Sequence, residues 1–323
     1  LKEYPSEPLF VLKKSSDLII KLSNYLKKNE SDLLIVLGDK YETFLITYCA
    51  FINRIPIAHI HGGEKTIGAK DDTIRHVITK FSNLHFVSNK EHRKRVLQLG
   101  ENKNNIIICG LLGYENILNT KLLSKNKLEK KIKINLNNKT LLISYHSVTT
   151  LSKNENIRQF RELLYALKIY KSYNIVFTSP NIDPGNIDIL KMINNFIKKN
   201  VNAYFYNSLG QILFFSLVKN SNIFIGNSSS GILEVPFLNV PVINIGERQS
   251  GRYQFIKVSN ISANTKNIVK EINLIIKKKR KKKSVNRYIH KNASSVIVEN
   301  IIKKLKNKNN TYFANKIFND INY

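Results

Sequence analysis

The chain has 323 residues, which at about 150 residues per domain predicts two domains. Hydrophobic residues make up 42% and aromatic residues 10% of the sequence, so general disorder is excluded. No apolar run approaches the roughly 18–20 residues that span a bilayer. The polar start, Leu1 to Pro5, has no signal-peptide pattern. We therefore expect no membrane partner and a cytoplasmic location.

Cys49 and Cys109 each lie in an apolar run and are expected to be buried thiols in a reducing compartment.

The formal net charge of +29 raises the possibility of a nucleic-acid partner. Lysine is accompanied by an excess of Asn and Ile throughout the chain, which indicates a general compositional bias. The densest basic run, residues 277–283, follows an apolar helix-like segment and is typical of a solvated helix end. We expect no specific nucleic-acid partner, although the charge would attract anionic substrates.

Short β-branched runs alternate with longer amphipathic segments, beginning with the apolar run at residues 33–37. This alternation predicts parallel strands with helices between them. In the first series the predicted strands are residues 33–37, 55–60, 84–88 and 106–110, and the predicted helices are residues 41–53, 72–83 and 90–99.

A second series follows a polar, Lys- and Asn-rich joint at residues 119–139. Its predicted strands are residues 141–145, 174–178, 203–206, 222–225 and 240–245, with helices at 155–170 and 187–199 among others. The pattern predicts two Rossmann-like α/β domains that face a cleft. Their expected bounds are residues 1–118 and 119–290, followed by a helical segment at 291–323.

Unusual polar residues follow almost every predicted strand. Asp39 and Lys40 follow the first strand, residues 59–64 end the second, and His146 and Asn181 follow strands of the second series. Ligands of open α/β sheets bind at the carboxyl ends of the strands. The sequence therefore predicts one active cleft built from these loops.

The glycine- and serine-rich loop at residues 226–231 precedes a helix-like segment at residues 232–235. Small residues at a helix start let backbone N–H groups approach an anion, which would suit a diphosphate. The simpler interpretation is a serine helix cap without a ligand. Glu234 could bind ribose hydroxyls or lie on the surface, and Arg248 and Arg252 could bind phosphate or occupy a surface turn.

Acidic residues and histidines crowd the first two strand ends of the first series and the following helix. When several carboxylates lie in one cleft, their pKa values can differ enough for one group to act as an acid and another as a base. Removal of a proton beside an anomeric carbon needs such a base. A polar network that only shapes the loop is the alternative. His59 and His61, two apart on one strand, are expected to face the same side and could also bind a metal, but no third ligand is specified, so we expect no metal. The group consists of Asp39, His59, His61, Glu64, Asp71, Asp72, Arg75 and His76.

Six short sequence blocks at the strand ends, taken in their order along the chain, resemble those of the hydrolysing UDP-N-acetylglucosamine 2-epimerases of sialic acid biosynthesis. The resemblance covers nearly the whole chain. The blocks are Gly-Asp-Lys-Tyr-Glu at 38–42, Ile-Ala-His-Ile-His-Gly-Gly-Glu at 57–64, Asp-Asp-Thr-Ile-Arg-His at 71–76, Tyr-His-Ser-Val-Thr at 145–149, and the segments at 227–234 and 246–252.

The resemblance implies a glycosyltransferase-B-like fold with UDP in the cleft. It implies anti elimination of UDP to a 2-acetamidoglucal, then addition of water to give N-acetylmannosamine, without a nicotinamide or redox cofactor. It places the proton-transfer groups at Asp39, His61, Glu64 and Asp71. It implies that Arg75 neutralises the departing diphosphate, and it places other substrate contacts at Lys40, His76, His146, Asn181, Ser228, Ser229, Glu234 and Arg248.

The chain departs from the family pattern at several positions. His61 stands where many relatives have Glu, so His61 or Glu64 could supply that proton-transfer group; Lys40 replaces a common Arg, and Ser147 a common Pro. The segment at 286–294 is an altered form of a family segment that contains Pro and Gly. The family's first strand and its Gly-Thr-Arg phosphate loop are not found, which we interpret as the absence of roughly 70 residues.

The sequence leaves several alternatives open. The same reaction could act on UDP-2,4-diacetamido-2,4,6-trideoxyglucose, which leads to legionaminic acid, and a non-hydrolysing epimerase is less favoured. A truncated, inactive protein that only binds a sugar nucleotide or nucleic acid is the alternative outside enzymes. A homodimer or homotetramer is expected, since an exposed helix pair in the first domain would suit one.

Overall fold

The computed structural model describes residues 8–69, 71–181, 185–278, 292–306 and 316–320. These residues form two compact units. The four-strand unit comprises residues 8–66, 71–115, 292–306 and 316–320, and the six-strand unit comprises residues 67–69, 116–181 and 185–278. Three predicted features lie outside the described residues: the polar start, residues 279–283 of the basic run, and residues 286–291 of the altered segment.

The four-strand unit contains a parallel sheet with strand order β1-β2-β3-β4. Each strand is short and apolar, and β2 and β3 are buried along their whole length, as expected for parallel strands covered on both faces. The elements are α1 (Pro8–Lys28), β1 (Leu34–Leu37), α2 (Tyr41–Ile52), β2 (Ile57–Ile60), α3 (Asp71–Phe81), β3 (Leu84–Val87), α4 (Lys90–Gln98), β4 (Ile106–Ile108) and α12 (Ala293–Lys306), with α5 (Leu112–Asn119) at the unit boundary.

Neighbouring residues of β2 face opposite sides of this sheet. Ile57 packs in a core cluster with Leu26 of α1 and Cys49 of α2. Ala58 packs in a second cluster with Cys109 and with Ile297 of α12. The alternation follows from the two-residue period of a strand. Helices therefore cover both faces, and the loops at the carboxyl ends of β1 and β2 stay available for polar side chains.

The six-strand unit contains a second parallel sheet, with strand order β10-β9-β8-β5-β6-β7. From β5 the chain adds β6 and β7 on one side of the sheet, and it then adds β8, β9 and β10 on the other side of β5. The strands β5 and β8 are therefore central. The elements are α6 (Lys125–Ile132), β5 (Thr140–Ser144), α7 (Lys153–Leu167), β6 (Asn174–Thr178), α8 (Asn186–Lys199), β7 (Ala203–Tyr206), α9 (Gly210–Asn220), β8 (Ile223–Gly226), α10 (Ser230–Leu233), β9 (Val242–Ile245), β10 (Ser259–Ile261) and α11 (Thr265–Lys277).

Two apolar clusters cover the faces of the second sheet. Leu141 and Ile143 of β5 pack with Phe160 of α7 and with residues of α8 and α11. Leu142, between them, packs on the opposite face with Leu128 of α6 and with residues of α9. A reversal of strand order at β5 and β8 is the place where open α/β sheets bind ligands, at the carboxyl ends of the strands.

The predicted fold class, two α/β units with parallel sheets, is confirmed. The joint predicted at residues 119–139 is wrong in part, because α6 lies within it and buries Leu128 and Ile132. The segment after the serine loop is also not one helix: α10 is a single turn, and a 3₁₀ turn at Val235–Leu238 follows it. Cys49 and Cys109 are buried free thiols, as predicted. Within the described ranges, no helix is long and apolar enough to cross a membrane.

Candidate active site

Arg75 is the centre of a charged network in the four-strand unit. Its side chain lies on α3 and is only 1% exposed. One terminal nitrogen donates to Asp39 Oδ2 and to Thr66 Oγ1, the latter at 3.2 Å. The other donates to Glu64 O and to Asp72 Oδ1, both at 2.9 Å.

Burial alone would lower the pKa of Arg75, but the carboxylates of Asp39, Glu64 and Asp72 outweigh burial and raise it. The guanidinium therefore stays charged and fixes the loops that follow β1 and β2. This geometry favours a role in holding carboxylates over the direct contact with diphosphate that the resemblance implied.

The two aspartates at the start of α3 have different partners. Asp71 forms an ion pair with Lys40 Nζ at 3.1 Å, and both side chains are partly exposed. Asp72 accepts the backbone N–H of Thr66 at 2.5 Å in addition to Arg75. Its second oxygen lies 3.5 Å from His76 Nε2. Burial lowers the pKa of His76, and Asp72 opposes that shift. Asp72 therefore shapes the loop, while Asp71 and Lys40 form its exposed rim.

His59 is fully buried in β2 and holds the loop that carries Asp39. Its Nε2 donates to the carbonyl oxygen of Gly38 at 2.9 Å, because that oxygen can only accept. Its Nδ1 lies 3.1 Å from the hydroxyl of Thr79, whose single proton can go to that nitrogen or to the carbonyl oxygen of Arg75 at 3.0 Å. Burial lowers the pKa of His59 to about 3, so the ring is neutral at physiological pH. His59 therefore has a positioning role and no nitrogen left for a metal.

His61 does not share the environment of His59. It follows β2 with a φ of +68°, so the strand alternation no longer applies to it. Its Nδ1 lies 2.7 Å from Ser88 Oγ, beyond the end of β3. The expectation that the two histidines face the same side is therefore wrong. Among the described residues, no three His, Cys, Asp or Glu side chains are grouped as a metal site would require. Glu64, in the same loop, is buried at 8% exposure.

His146 and Asn227 join the ends of the two central strands of the six-strand unit. The side chain of Asn227 accepts the backbone N–H of His146 at 2.7 Å and donates to its carbonyl oxygen at 2.9 Å. The ring of His146 accepts the backbone N–H of Asn181 at Nδ1, at 2.9 Å. A neutral His146 therefore carries its proton on Nε2, in the form that can donate to an anionic oxygen.

The loop after β8 requires glycine at its first position. Gly226 has a φ of +146°, and a Cβ placed there would lie 1.9 Å from Ser144 O. The close approach of the two central strands brings Ser228 and Ser229 next to the end of β5. Ser228 is buried at 8% exposure, and Ser229 precedes the single turn of α10.

The loop after β9 contacts this serine loop. Arg248 and Gln249 both donate to the carbonyl oxygen of Asn227, at 3.2 and 2.8 Å. The guanidinium of Arg248 therefore lies beside the serine loop, where the sequence predicted a phosphate contact.

Glu234 lines a cavity of about 340 Å³ in the six-strand unit. Burial raises the pKa of Glu234, and a hydrogen bond with Ser230 opposes that shift. Hydroxyl, amide and aromatic side chains surround it, which suits a ligand with ring and hydroxyl groups. The lining also includes Asn116, Thr178, Ser179, Phe214, Phe215 and residues 206–211.

The sequence matches the UDP-N-acetylglucosamine 2-epimerase family over residues 11–302. The chain belongs to this family. It is 40% identical over 222 residues to the GDP/UDP-N,N'-diacetylbacillosamine 2-epimerase (hydrolyzing) of Campylobacter jejuni, covering 68% of this chain and 58% of that protein. It is 36% identical over 315 residues to polysialic acid biosynthesis protein P7 of Escherichia coli, covering 96% of this chain and 79% of that protein.

A solved member of the family shows the same fold. The UDP-GlcNAc 2-epimerase from Neisseria meningitidis, solved with UDP-GlcNAc bound, superposes with a TM-score of 0.79 at 21% identity, covering 94% of this chain and 84% of that one. This likeness confirms the glycosyltransferase-B-like fold that the resemblance implied.

In this epimerase-family chain, several residues that build the site were not predicted from the sequence. Thr66 forms hydrogen bonds with Asp72 and Arg75, and Thr79 contacts His59. No local sequence pattern indicates these contacts. Asn227 was included in the serine loop, but the two hydrogen bonds between its side chain and the backbone of His146 were not predicted. Residues 206–211 were also overlooked, although a polar Asn-Ser pair directly after β7 follows the strand-end rule used for the other loops.

Proposed function

We propose that this chain is a hydrolysing UDP-N-acetylglucosamine 2-epimerase that releases N-acetylmannosamine and UDP. The observation that carries the proposal is the buried Arg75 network, which holds the carboxylate of Asp39 and the backbone of Glu64 at the carboxyl ends of two adjacent strands. A reaction that removes one proton and returns another needs fixed acid and base groups of this kind. The names of the Campylobacter and Escherichia relatives support the hydrolysing form and a sialic-acid-type product.

The proposed reaction has two balanced steps. A base removes the proton at C2 while the C1–O bond to UDP breaks, giving UDP and a 2-acetamidoglucal. Water then adds its hydroxyl group to C1, and a proton is delivered to C2 on the opposite face. The sum is UDP-N-acetylglucosamine plus water giving N-acetylmannosamine plus UDP, with no change in oxidation state and no need for a redox cofactor.

We assign the first proton transfer to Asp39. Its carboxylate is held by Arg75 and is 20% exposed, so it is both fixed and accessible. His61, Glu64 and Asp71 are the candidates for the return of a proton to C2. Lys40, paired with Asp71 and half-exposed, is available to an anionic substrate on that rim. His59 and Thr79 keep Asp39 in place without touching substrate.

We assign UDP to the six-strand unit. The diphosphate would lie against Ser228, Ser229 and Arg248, with the Nε2–H of His146 as a further donor. Asn181 supplies the backbone N–H that fixes the His146 ring. The nucleoside would enter the cavity beside Glu234, whose carboxylate would accept the ribose hydroxyls.

The second candidate is the same reaction on UDP-2,4-diacetamido-2,4,6-trideoxyglucose. The 40% identity to a relative named as a diacetylbacillosamine 2-epimerase favours it. The two candidates share the elimination and hydration chemistry and differ in the groups at C4 and C6 of the sugar.

Initial rates of UDP release with each substrate test the proposal and rank the two sugars. Wild-type turnover of one or both, lost in Asp39→Asn, supports the assignment. Equal rates in wild type and in Asp39→Asn would overturn the role of Asp39, and a product that stays attached to UDP would overturn the hydrolysing reaction.

A further inference from the structure

The loop at residues 61–64 carries two of the three candidates for the return of a proton to C2, His61 and Glu64. Between them the chain passes through Gly62 and Gly63. Glycine has no side chain to pack and leaves the backbone with many accessible conformations. The positions of His61 and Glu64 therefore depend on residues outside this loop.

The segment that follows β3 contacts the loop at three points. Directly before α4, Ser88 Oγ lies 2.7 Å from Nδ1 of His61. Within α4, the carbonyl oxygen of His92 packs against Gly63, which has a φ of +76° and at which a Cβ would lie 2.4 Å from that oxygen. Arg95 donates to the carbonyl oxygen of Gly63. Residues 92 and 95 are three apart in the helix, so both contacts come from one face of α4.

Arg95 and Arg75 hold the two peptide groups on either side of Glu64. Arg95, on α4, donates to the carbonyl oxygen of Gly63, in the peptide group before Glu64. Arg75, on α3, donates to the carbonyl oxygen of Glu64 at 2.9 Å, in the peptide group after it. Peptide groups are planar, so holding both of them fixes the backbone angles of Glu64. The direction in which the Glu64 side chain leaves the backbone is thereby fixed as well.

Asp39, to which the removal of the proton is assigned, is held by other groups. Arg75 donates to its carboxylate, and His59 donates to the carbonyl oxygen of the preceding Gly38. Neither contact comes from α4. Loss of Arg95 should therefore disturb the loop that is a candidate for returning the proton and leave the group that removes it in place.

We propose that Arg95 is a positioning residue that holds the loop at 61–64 for the return of a proton to C2. The group that returns the proton is then His61 or Glu64, and not Asp71. Arg95 lies outside the sequence blocks that carry the family resemblance. The inference rests on the proposed elimination and hydration, and it assigns Arg95 to the second of these steps.

Arg95→Met tests the proposal, because methionine keeps an unbranched apolar stem and removes the donor to Gly63 O. Formation of the free sugar should fall by about tenfold to 100-fold, the effect of a misplaced catalytic group. Elimination should continue, so UDP and the 2-acetamidoglucal should appear as products. Proton NMR measures the products that the full chain forms from UDP-N-acetylglucosamine and from UDP-2,4-diacetamido-2,4,6-trideoxyglucose.

Two matched variants separate the hydrogen bond from the charge. Lysine also donates hydrogen bonds, so Arg95→Lys should restore most of the free-sugar formation. Arg93, on the same helix, donates to the carbonyl oxygen of Lys103 at 3.5 Å, away from the loop. Arg93→Met makes the same change in net charge as Arg95→Met and should keep the product ratio of wild type.

The nitrogen-15 amide resonance of Glu64 reports on the contact without any turnover. Its N–H belongs to the same peptide group as the carbonyl oxygen that Arg95 holds. The resonance should shift in Arg95→Met and stay in place in Arg93→Met.

Wild-type formation of free sugar by Arg95→Met would overturn the proposal. Equal defects in Arg93→Met and Arg95→Met would also overturn it, since the lost charge would explain both. Loss of UDP release in parallel with free sugar, without the 2-acetamidoglucal, would overturn the assignment to the second step. A wild-type chain that releases no UDP from either substrate would overturn the proposed function, and the Glu64 resonance would still decide whether Arg95 holds the loop.

Discussion

The guanidinium of Arg75 donates to the carboxylate of Asp39 from a position that is 1% exposed, while Asp39 itself is 20% exposed. A buried cation thus holds a carboxylate that solvent can reach. The same cation holds Asp72 and the backbone of Glu64, so one side chain fixes both Asp39 and the loop that carries Glu64.

Replacing Arg75 by alanine should lower the free energy of unfolding by about 3–5 kcal/mol, because it leaves the carboxylates of Asp39 and Asp72 without their buried counter-charge. Urea unfolding followed by circular dichroism measures the change. Lys40→Ala is the matched control, since its ion pair with Asp71 is largely exposed and should contribute about 1 kcal/mol or less. Equal effects of the two substitutions would contradict the central position of Arg75.

Stability should fall as the pH is lowered from 6.5 towards 5, partly because of His59. Burial lowers the pKa of His59 to about 3, whereas the unfolded chain takes up a proton near pH 6.5. The unfolded state therefore binds more protons than the folded state in this pH range. The decrease in the free energy of unfolding that His59 causes approaches about 1.4 kcal/mol per pH unit at pH 5. Unfolding free energies measured at several pH values give the slope.

His59→Gln isolates the contribution of His59, because glutamine keeps an N–H donor for Gly38 O but does not titrate. The variant should show a shallower pH slope than wild type. The pKa values of His76 and His85 are also lowered by burial, so a residual slope is expected. An unchanged slope would show that His59 does not titrate as its burial requires.

Gly226→Ala should abolish UDP binding and strongly destabilise the six-strand unit. The added Cβ would meet Ser144 O at 1.9 Å, and the backbone φ of +146° is unfavourable for any side chain. Gly210→Ala is the control: it also has a positive φ, but its Cβ would meet nothing within 4 Å. Urea unfolding should show a cost of only about 1 kcal/mol for the control, and calorimetry measures the UDP affinity of Gly226→Ala. UDP binding by Gly226→Ala with wild-type affinity would refute the proposed loop geometry.

Removing the Glu234 carboxylate should weaken UDP binding by about tenfold or more, since a partly buried carboxylate that accepts two ribose hydroxyls contributes more than a neutral hydrogen bond. Titration calorimetry of Glu234→Ala with UDP measures the effect. Asp188→Asn, a change in the Lys153 ion pair on α8 of the same unit, serves as the control and should leave the affinity unchanged. Wild-type affinity in Glu234→Ala would place the nucleoside elsewhere.

Asp39→Asn and Glu64→Gln should each reduce turnover by about 100-fold to 10,000-fold, the usual contribution of a proton-transfer group. UDP affinity should stay within a few-fold of wild type, because neither residue belongs to the six-strand unit. Steady-state kinetics and calorimetry together separate the two effects. Normal rates in both variants would remove the proposed chemistry from this part of the chain.

The sequence was sufficient to predict the strands that are continuous apolar runs and the polar residues that follow them. It failed at α6, where only Leu128 and Ile132 are apolar enough to mark a buried face among lysines. It also missed β10, which has three residues and two polar side chains, too short to show a period. Such elements are determined by the sheet that they pack against.

The environment of individual site residues was less predictable than their presence. The Asp-Asp-Thr-Ile-Arg-His block at 71–76 shows an arginine beside aspartates. The environment of this arginine, Arg75, depends on Thr66 and Asp39, which lie outside the block. The separation of His59 from His61 depends on the left-handed backbone at His61, which a strand pattern does not predict. Tertiary contacts decide these features, and local spacing does not contain them.

Proton NMR of the chain incubated with UDP-N-acetylglucosamine in deuterated water tests the central claim most directly. Elimination followed by hydration predicts free N-acetylmannosamine that carries deuterium at C2, together with one equivalent of UDP. UDP-N-acetylmannosamine without free sugar, or free sugar that keeps its original hydrogen at C2, would contradict the account.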